Sequence, residues 1–206
     1  MLAVCLDLEG VLVPEIWINV AERTGIKQLT RTTRDEPDYD RLMAYRLGIL
    51  DEKDIKIGDI TSVIESMEPF QGAREFLSSL QSRWPTFILS DTFSQFAKPI
   101  MSKLGHPTLL CHSLVIDDSG RIEAWAIRCQ DHKRKTVESL KQMNYDVIAA
   151  GDSYNDTTML GSASIGVLYK PPDNVILEFP QFPVTTDYSQ LMGEIESAAM
   201  DLGEFW

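Results

Sequence analysis

Four short runs of apolar residues organise the chain: Leu2 to Leu8, Thr86 to Ser90, Asp146 to Gly151 and Ser164 to Leu168. Their apolar character is continuous rather than alternating, the pattern of strands covered on both faces in a parallel sheet. Helical periodicity lies between them. Ala73, Phe76, Leu77, Leu80 and Trp84 form one stripe leading into the strand at Phe87. Lys135 to Met143, with Val137 and Leu140 inward, leads into the strand at Val147, and Leu191, Ile195, Ala198, Ala199 and Leu202 make a final amphipathic helix. Helices alternating with buried strands predict an α/β fold with a doubly wound parallel sheet. Leu114 to Ile127 reads differently, as two strand-like halves around Asp118-Ser119-Gly120, a hairpin on the sheet's edge.

Residues 15–71 interrupt this alternation. They hold helical stretches (Ile16 to Ala21 closed by Gly25, Leu42 to Leu50, Ile60 to Met67) and no strand, with Pro69 and Gly72 marking the exit. The first strand is complete before them. The organisation predicted is therefore an α/β core from 1–14 and 72–206, with 15–71 a helical cap inserted after the first strand. Open α/β sheets place their crevice at the carboxyl ends of the strands, so a cap here covers it.

Composition narrows the functional classes. With 44% apolar and 24% charged residues among 206, the chain can bury a full core. No apolar run approaches the roughly 20 residues that span a bilayer. The amino-terminal run lacks a basic lead and reads as a strand, not a signal peptide. The net charge of −12 argues against nucleic acid or an anionic membrane as partner. Cys5, Cys111 and Cys129 show no CxxC or zinc spacing, which points to reduced thiols and a cytoplasmic setting. Neither GxGxxG nor GxxxxGK[ST] occurs, so no motif supports nucleotide binding.

The chemistry is concentrated where strands end: Asp7-Leu8-Glu9-Gly10-Val11, Ser90-Asp91-Thr92 and Gly151-Asp152-Ser153-Tyr154-Asn155-Asp156, with Lys133-Arg134-Lys135 at the start of a helix. A phosphate dianion repels a carboxylate nucleophile unless cations neutralise it. Asp7 supplies the nucleophilic oxygen. Its other oxygen, Asp152 and a backbone carbonyl at Glu9 offer a hard oxygen site suited to Mg²⁺. Lys133 is the fixed cation, Ser90 and nearby N–H groups bind an equatorial oxygen, and Glu9 acts as acid and then base. Each residue also has a plain structural reading. Asp7 can be a turn residue, Asn155 or Asp156 a helix cap, Lys133 solvated surface, and Ser90-Asp91-Thr92 the cap of a helix from Ser94. The ordered set of four on strands of the right kind favours the chemical reading. His112 beside Cys111 reads as coincidence, and His106 and His132 lack metal-ligand spacing.

On these motifs the chain resembles the haloacid dehalogenase-like superfamily: Asp7-x-Glu9-Gly10-Val11, then Ser90, Lys133, and Gly151-Asp152-x-x-x-Asp156. The resemblance implies a Rossmann-like core, a mobile helical cap, Mg²⁺ and an aspartyl-phosphate intermediate, with Asp156 in support. The family's usual second acid is Asp, where this chain has Glu9. Glu15, Arg46-Leu-Gly-Ile-Leu50 and Glu68-Pro69-Phe70-Gln71-Gly72-Ala73 resemble the phosphoserine phosphatases, and closer still the branch that transfers the phosphoryl group to homoserine. That likeness implies Glu15 and Arg46 as substrate residues, with Ser90, Asp91, Lys133 and Asn155 at the phosphate end. Arg31, Arg34 and Arg41 are not distinguished from Arg46 by spacing. A sugar phosphate or nucleotide substrate, and a receiver-like module phosphorylated on Asp, are the competing expectations. The terminal Phe205-Trp206 suits either the core or a homodimer contact.

Overall fold

The computed structural model describes residues 1–33, 35–36 and 38–203. Arg34 and the Phe205-Trp206 pair lie outside them. In chain order the elements are β1 (Leu2–Leu6), α1 (Ile16–Thr24), α2 (Tyr39–Glu52), α3 (Ile57–Glu65), α4 (Ala73–Gln81), β2 (Thr86–Phe93), α5 (Ser94–Lys103), β3 (Thr108–Ile116) and β4 (Ile122–Ala126). There follow α6 (His132–Gln142), β5 (Asp146–Gly151), α7 (Thr157–Ser162), β6 (Ile165–Tyr169), α8 (Asp173–Glu178), β7 (Val184–Thr185) and α9 (Tyr188–Asp201).

The sheet runs β4-β3-β2-β1-β5-β6-β7. Its pairs are parallel except β3 with β4, the edge hairpin the sequence led us to expect. Successive residues of β1 feed two cores. Leu2, Val4 and Leu6 join the cluster packed under α4, α5 and α9, while Ala3 and Cys5 join Val137 and Leu140 of α6 and Met159 and Leu160 of α7. Burial on both faces is why the strand reads as an unbroken apolar run.

Strand order reverses at β1, whose neighbours are β2 and β5. Leu6 pairs with Ile88 on one side and Ala150 on the other. The register therefore sets Asp7, the bend at Ser90 and the Gly151-Asp152 turn side by side at three carboxyl ends, the position where open α/β sheets bind ligands.

Several elements differ from expectation. β1 stops at Leu6, because the chain turns sharply at Gly10 (φ 80°) and folds Leu12 N–H back onto the Leu8 carbonyl at 2.8 Å. β2 continues past Ser90 to Phe93, with a register break between Leu89 and Phe93. Ser90-Asp91-Thr92 therefore sits in an irregular stretch of strand, and α5 has Phe93 at its cap position without a side-chain hydrogen bond. β3 begins at Thr108, earlier than the hairpin signal at Leu114. Its first residues mix half-buried and exposed positions and carry no clean period. The short β7 and α8 have no pattern of their own in the sequence.

The helices α1, α2 and α3 all fall between β1 and α4. Leu29, Met43, Leu47, Ile60 and Ile64 from this segment belong to the same apolar cluster as Leu2, Val4 and Leu6. The edge hairpin also grips it: Ile57 N–H donates to the Gly120 carbonyl at 2.9 Å, and Arg121 makes two bonds of 2.7 Å to Asp51. Trp125 Nε1 donates to Asp40 at 3.0 Å. Among the described residues, no helix is long and apolar enough to cross a membrane.

Candidate active site

Asp7, one residue beyond β1, donates its own N–H to the Ala150 carbonyl at 2.9 Å and so continues the ladder by a rung. That bond fixes the carboxylate at the sheet's edge, where it is only 5% exposed. Lys133, in the first turn of α6, donates to Asp7 Oδ1 and to Asp156 Oδ1, both at 2.8 Å. Asp91 Oδ2 stands 3.6 Å from the same ammonium. Burial opposes the charge on Lys133, yet Asp156, Asp7 and Asp91 together hold its pKa well above the usual lysine range. The solvated-surface reading of Lys133 is thus excluded.

Asp156 is fully buried, and its second oxygen accepts from Asp152 N–H (3.0 Å), Ser153 N–H (3.1 Å) and the Ser153 hydroxyl (3.3 Å). Its capping role is real, but it caps the Tyr154–Asp156 turn by reaching back, while its other oxygen serves Lys133. Two glycines make this packing achievable. A Cβ on Gly10 would lie 2.3 Å from the Asp152 carboxyl carbon, and one on Gly151 would lie 2.4 Å from that of Asp156. Any side chain there displaces an acid.

Asp7, Asp152 and Asp156 bring carboxylate oxygens within 4.8 Å of one another. Burial, with Asp156 and Asp152 nearby, pushes the Asp7 carboxyl well above its usual range, against the opposing pull of Lys133. One ammonium does not balance three acids. Such a set of hard oxygens short of positive charge is the environment that a divalent cation stabilises.

Glu9 is half-buried and accepts a hydrogen bond from Ile16 N–H at 2.8 Å. Desolvation, then the neighbouring Glu15, push its carboxyl up to about 8, against that hydrogen bond. The shift favours the protonated form, the state a general acid needs. Ser90 is buried, and its hydroxyl accepts from Thr92 N–H at 3.2 Å.

Asp7, Glu9, Glu15, Arg46, Ser90, Asp91, Lys133, Asp152 and Asn155 all line one cavity of about 610 Å³. Asn155 is exposed at its rim, where its amide donates to Thr33 Oγ1 at 3.2 Å. Arg46 is 6% exposed, stacks over Trp17 at 4.5 Å, and donates to the Arg31 carbonyl at 2.9 Å. Its Nε is buried without a hydrogen-bond partner. Burial lowers its pKa to about 10, so it stays cationic at neutral pH. The alternatives separate here: Arg31 pairs with Glu36 at 3.5 Å and exposed Arg41 with Asp38 at 3.5 Å, and neither lines the cavity.

Trp17, Thr32, Thr33, Tyr39 and Asn174 also line the cavity, and none of them had a functional signal in the sequence. Tyr39, at the start of α2, donates its hydroxyl to the Asp91 carbonyl at 3.1 Å. Nor did spacing bring His112 and His132 to Asp91, where all three can share a ligand position. The three cysteines are free, as expected.

Residues 1–164 match the family model described as haloacid dehalogenase-like hydrolase. Phosphoserine phosphatase ThrH of Pseudomonas aeruginosa is 56% identical over 195 residues, 95% of either chain. A phosphoserine phosphatase of Pseudomonas syringae pv. tomato is 54% identical over 195 residues, covering 95% of this chain and 82% of its own. Among solved structures, a phospho-aspartyl intermediate analogue of phosphoserine phosphatase superposes with a TM-score of 0.76 at 18% identity, covering 93% of this chain and 97% of that one.

Proposed function

The chain belongs to the haloacid dehalogenase-like hydrolases, and from that premise we propose that it is a Mg²⁺-dependent phosphoserine phosphatase working through an aspartyl phosphate on Asp7. An Asp7 oxygen attacks phosphorus, and the bond from phosphorus to the serine oxygen breaks. Glu9 gives its proton to that departing oxygen. The carboxylate left on Glu9 then takes a proton from water, whose oxygen attacks the phosphoryl group and frees Asp7. Lys133 and the Ser90 hydroxyl hold phosphoryl oxygens. A divalent cation held by Asp7, Asp152 and a Glu9 carbonyl would offset charge on the phosphoryl group. Residues 15–71 serve as the cap over this reaction. An alcohol such as homoserine, with one more methylene than serine, can replace water in the second step and leave as its phosphate ester. An enzyme of this kind working on free amino acids fits the cytoplasm.

The observation that carries the substrate assignment is Arg46: a buried guanidinium with an unpartnered Nε, lining the nucleophile's cavity together with Glu15. A carboxylate completes the first and an ammonium suits the second, and phosphoserine offers both. The test is phosphate release from L-phosphoserine, with and without homoserine, beside a panel of other monoesters, in wild type and Asp7→Asn. Phosphoserine should stand well above the panel, and Asp7→Asn should be inactive because an amide oxygen cannot form the acyl phosphate. A flat panel rejects the substrate. Near-normal turnover by Asp7→Asn rejects the mechanism.

A further inference from the structure

Two buried imidazoles lie beside the phosphate end without a part in the chemistry above. His112 on β3 is 5% exposed and His132, the first residue of α6, is 2% exposed. Their rings meet edge to face with centroids 4.5 Å apart. His132 Nε2 is 3.1 Å from Asp91 Oδ1, and His112 Nε2 is 3.5 Å from the same oxygen. The opposite ring nitrogens both face Arg128. Its backbone N–H donates to His112 Nδ1 at 3.3 Å, and its Nη2 lies 3.3 Å from His132 Nδ1.

Arg128 has only donors to offer at these two points, so each Nδ1 must be the lone-pair nitrogen. Each neutral ring then carries its proton on Nε2; that of His132 is hydrogen-bonded to Asp91 Oδ1, and His112 Nε2 backs the same oxygen at the longer distance of 3.5 Å. A metal ion among these three residues would need the reverse, with Nε2 lone pairs free and Nδ1–H groups turned onto Arg128 donors. The same geometry that makes the cluster look like a metal site thus makes it a hydrogen-bond clamp.

What the clamp restrains is plain from the other Asp91 oxygen. Oδ2 stands 3.6 Å from Lys133 Nζ, beyond hydrogen-bond length, while Asp7 and Asp156 are bonded to that ammonium at 2.8 Å. The Asp91 side chain is 40% exposed and lines the cavity, so its contacts with the two imidazoles bear directly on where its carboxylate points. A loose carboxylate would close on the lysine and compete with phosphoryl oxygens for it. We propose that His112 and His132 are positioning residues that keep Asp91 at ion-pair distance from Lys133 without a hydrogen bond to it, leaving a donor of that ammonium available to an incoming phosphate. The inference rests on Lys133 being the phosphoryl-binding cation, but not on which alcohol the ester carries.

Two measurements test it. In wild-type protein, an ¹⁵N–¹H correlation spectrum of the imidazoles should place both protons on Nε2. A proton on Nδ1 of either ring, or stoichiometric Zn²⁺ binding that His112→Phe abolishes, overturns the clamp. The second is kinetic, with p-nitrophenyl phosphate as substrate and inorganic phosphate as competitive inhibitor. His132→Phe should raise KM and the phosphate Ki by about tenfold with kcat within about twofold, the signature of lost ground-state binding. His132→Gln, which keeps an N–H donor, should recover most of that loss. In an Asp91→Asn background the same His132→Phe change should move KM and Ki by less than about twofold, since no carboxylate is left to misdirect. An equal effect in both backgrounds marks His132 as merely structural and overturns the inference. If His132→Phe loses its near-ultraviolet dichroism, His132→Ala is read in its place. Activity on p-nitrophenyl phosphate without preference for phosphoserine would defeat the substrate assignment alone and leave the clamp's test intact.

Discussion

Asp156 touches no substrate in this scheme, yet its loss should be felt in stability more than that of any other acid in the site. It is fully buried, one oxygen on Lys133 at 2.8 Å and the other receiving the N–H groups of Asp152 and Ser153 at 3.0 and 3.1 Å. Asp156→Ala removes one partner of a buried ion pair, which typically costs about 3–5 kcal/mol. It also strands two N–H groups, each worth about 1–3 kcal/mol when buried and unpaired. These costs are not additive, because Asp7 keeps its own bond to Lys133 and water can enter the space left by the carboxylate. A net loss of about 3 kcal/mol is the expectation, near the lower bound of the ion-pair figure. For a chain of this size each kcal/mol moves the melting midpoint by roughly 2–4 °C, so the variant should melt about 6–12 °C below wild type. Asp156→Asn should recover only part of this, since an amide cannot accept on both sides. The assay is thermal unfolding followed by circular dichroism at neutral pH, with chelator present so that metal binding does not contribute. A midpoint for Asp156→Ala within about 2 °C of wild type would refute the reasoning.

Other consequences follow from the same geometry. The Glu9 carboxyl, raised from 4.5 to about 8, binds its proton more tightly in the folded chain than in the unfolded one. Its contribution to stability therefore falls as pH rises from 4.5 toward 8 and is level above that. Glu9→Gln should gain on wild type in melting temperature across that window, and a gap that does not change with pH would contradict the assignment. Because the protonated form is the acid, the rate of ester cleavage should also decline as pH passes about 8, and Glu9→Gln should lose that limb of the profile. Gly10→Ala places a Cβ against the Asp152 carboxyl from a left-handed backbone, so Mg²⁺ titration should show affinity weakened by about 10–100-fold, while unaltered affinity would place the metal elsewhere. Chelation should abolish phosphate release and added Mg²⁺ restore it; turnover that ignores chelator would remove the cation from the scheme. Arg46→Lys keeps the charge but loses the planar fork, and should raise KM for phosphoserine far more than for p-nitrophenyl phosphate.

Much of this protein was legible in one dimension because a strand buried on both faces has to be apolar throughout. Leu2 to Leu6, Asp146 to Gly151 and Ile165 to Tyr169 could be located for that reason, and so could the acids that interrupt the runs as the chain leaves the sheet. Asp7, Asp152 and Asp156 follow such strands and Lys133 opens the helix that leads into one, and the rule that ligands sit at strand carboxyl ends converts that order into a common location. The hairpin was legible from its Asp-Ser-Gly turn. Its forward extension from Thr108 was not, since β3 is half-exposed and borrows its regularity from β2.

What the chain could not reveal by itself is which charged side chains are buried, because burial depends on elements far apart in sequence. Arg31, Arg41 and Arg46 are equivalent as letters. Packing puts only Arg46 over Trp17 with its Nε unpartnered, and leaves Arg41 in solvent. His112 and His132 carry no spacing that marks them, and they act together only because β3 and α6 both pack beside the bend in β2. Local composition determined where carboxylates would stand. Tertiary structure decided their protonation, their partners and their strength, since desolvation and Coulomb interaction are set by distance through space and not by separation along the chain.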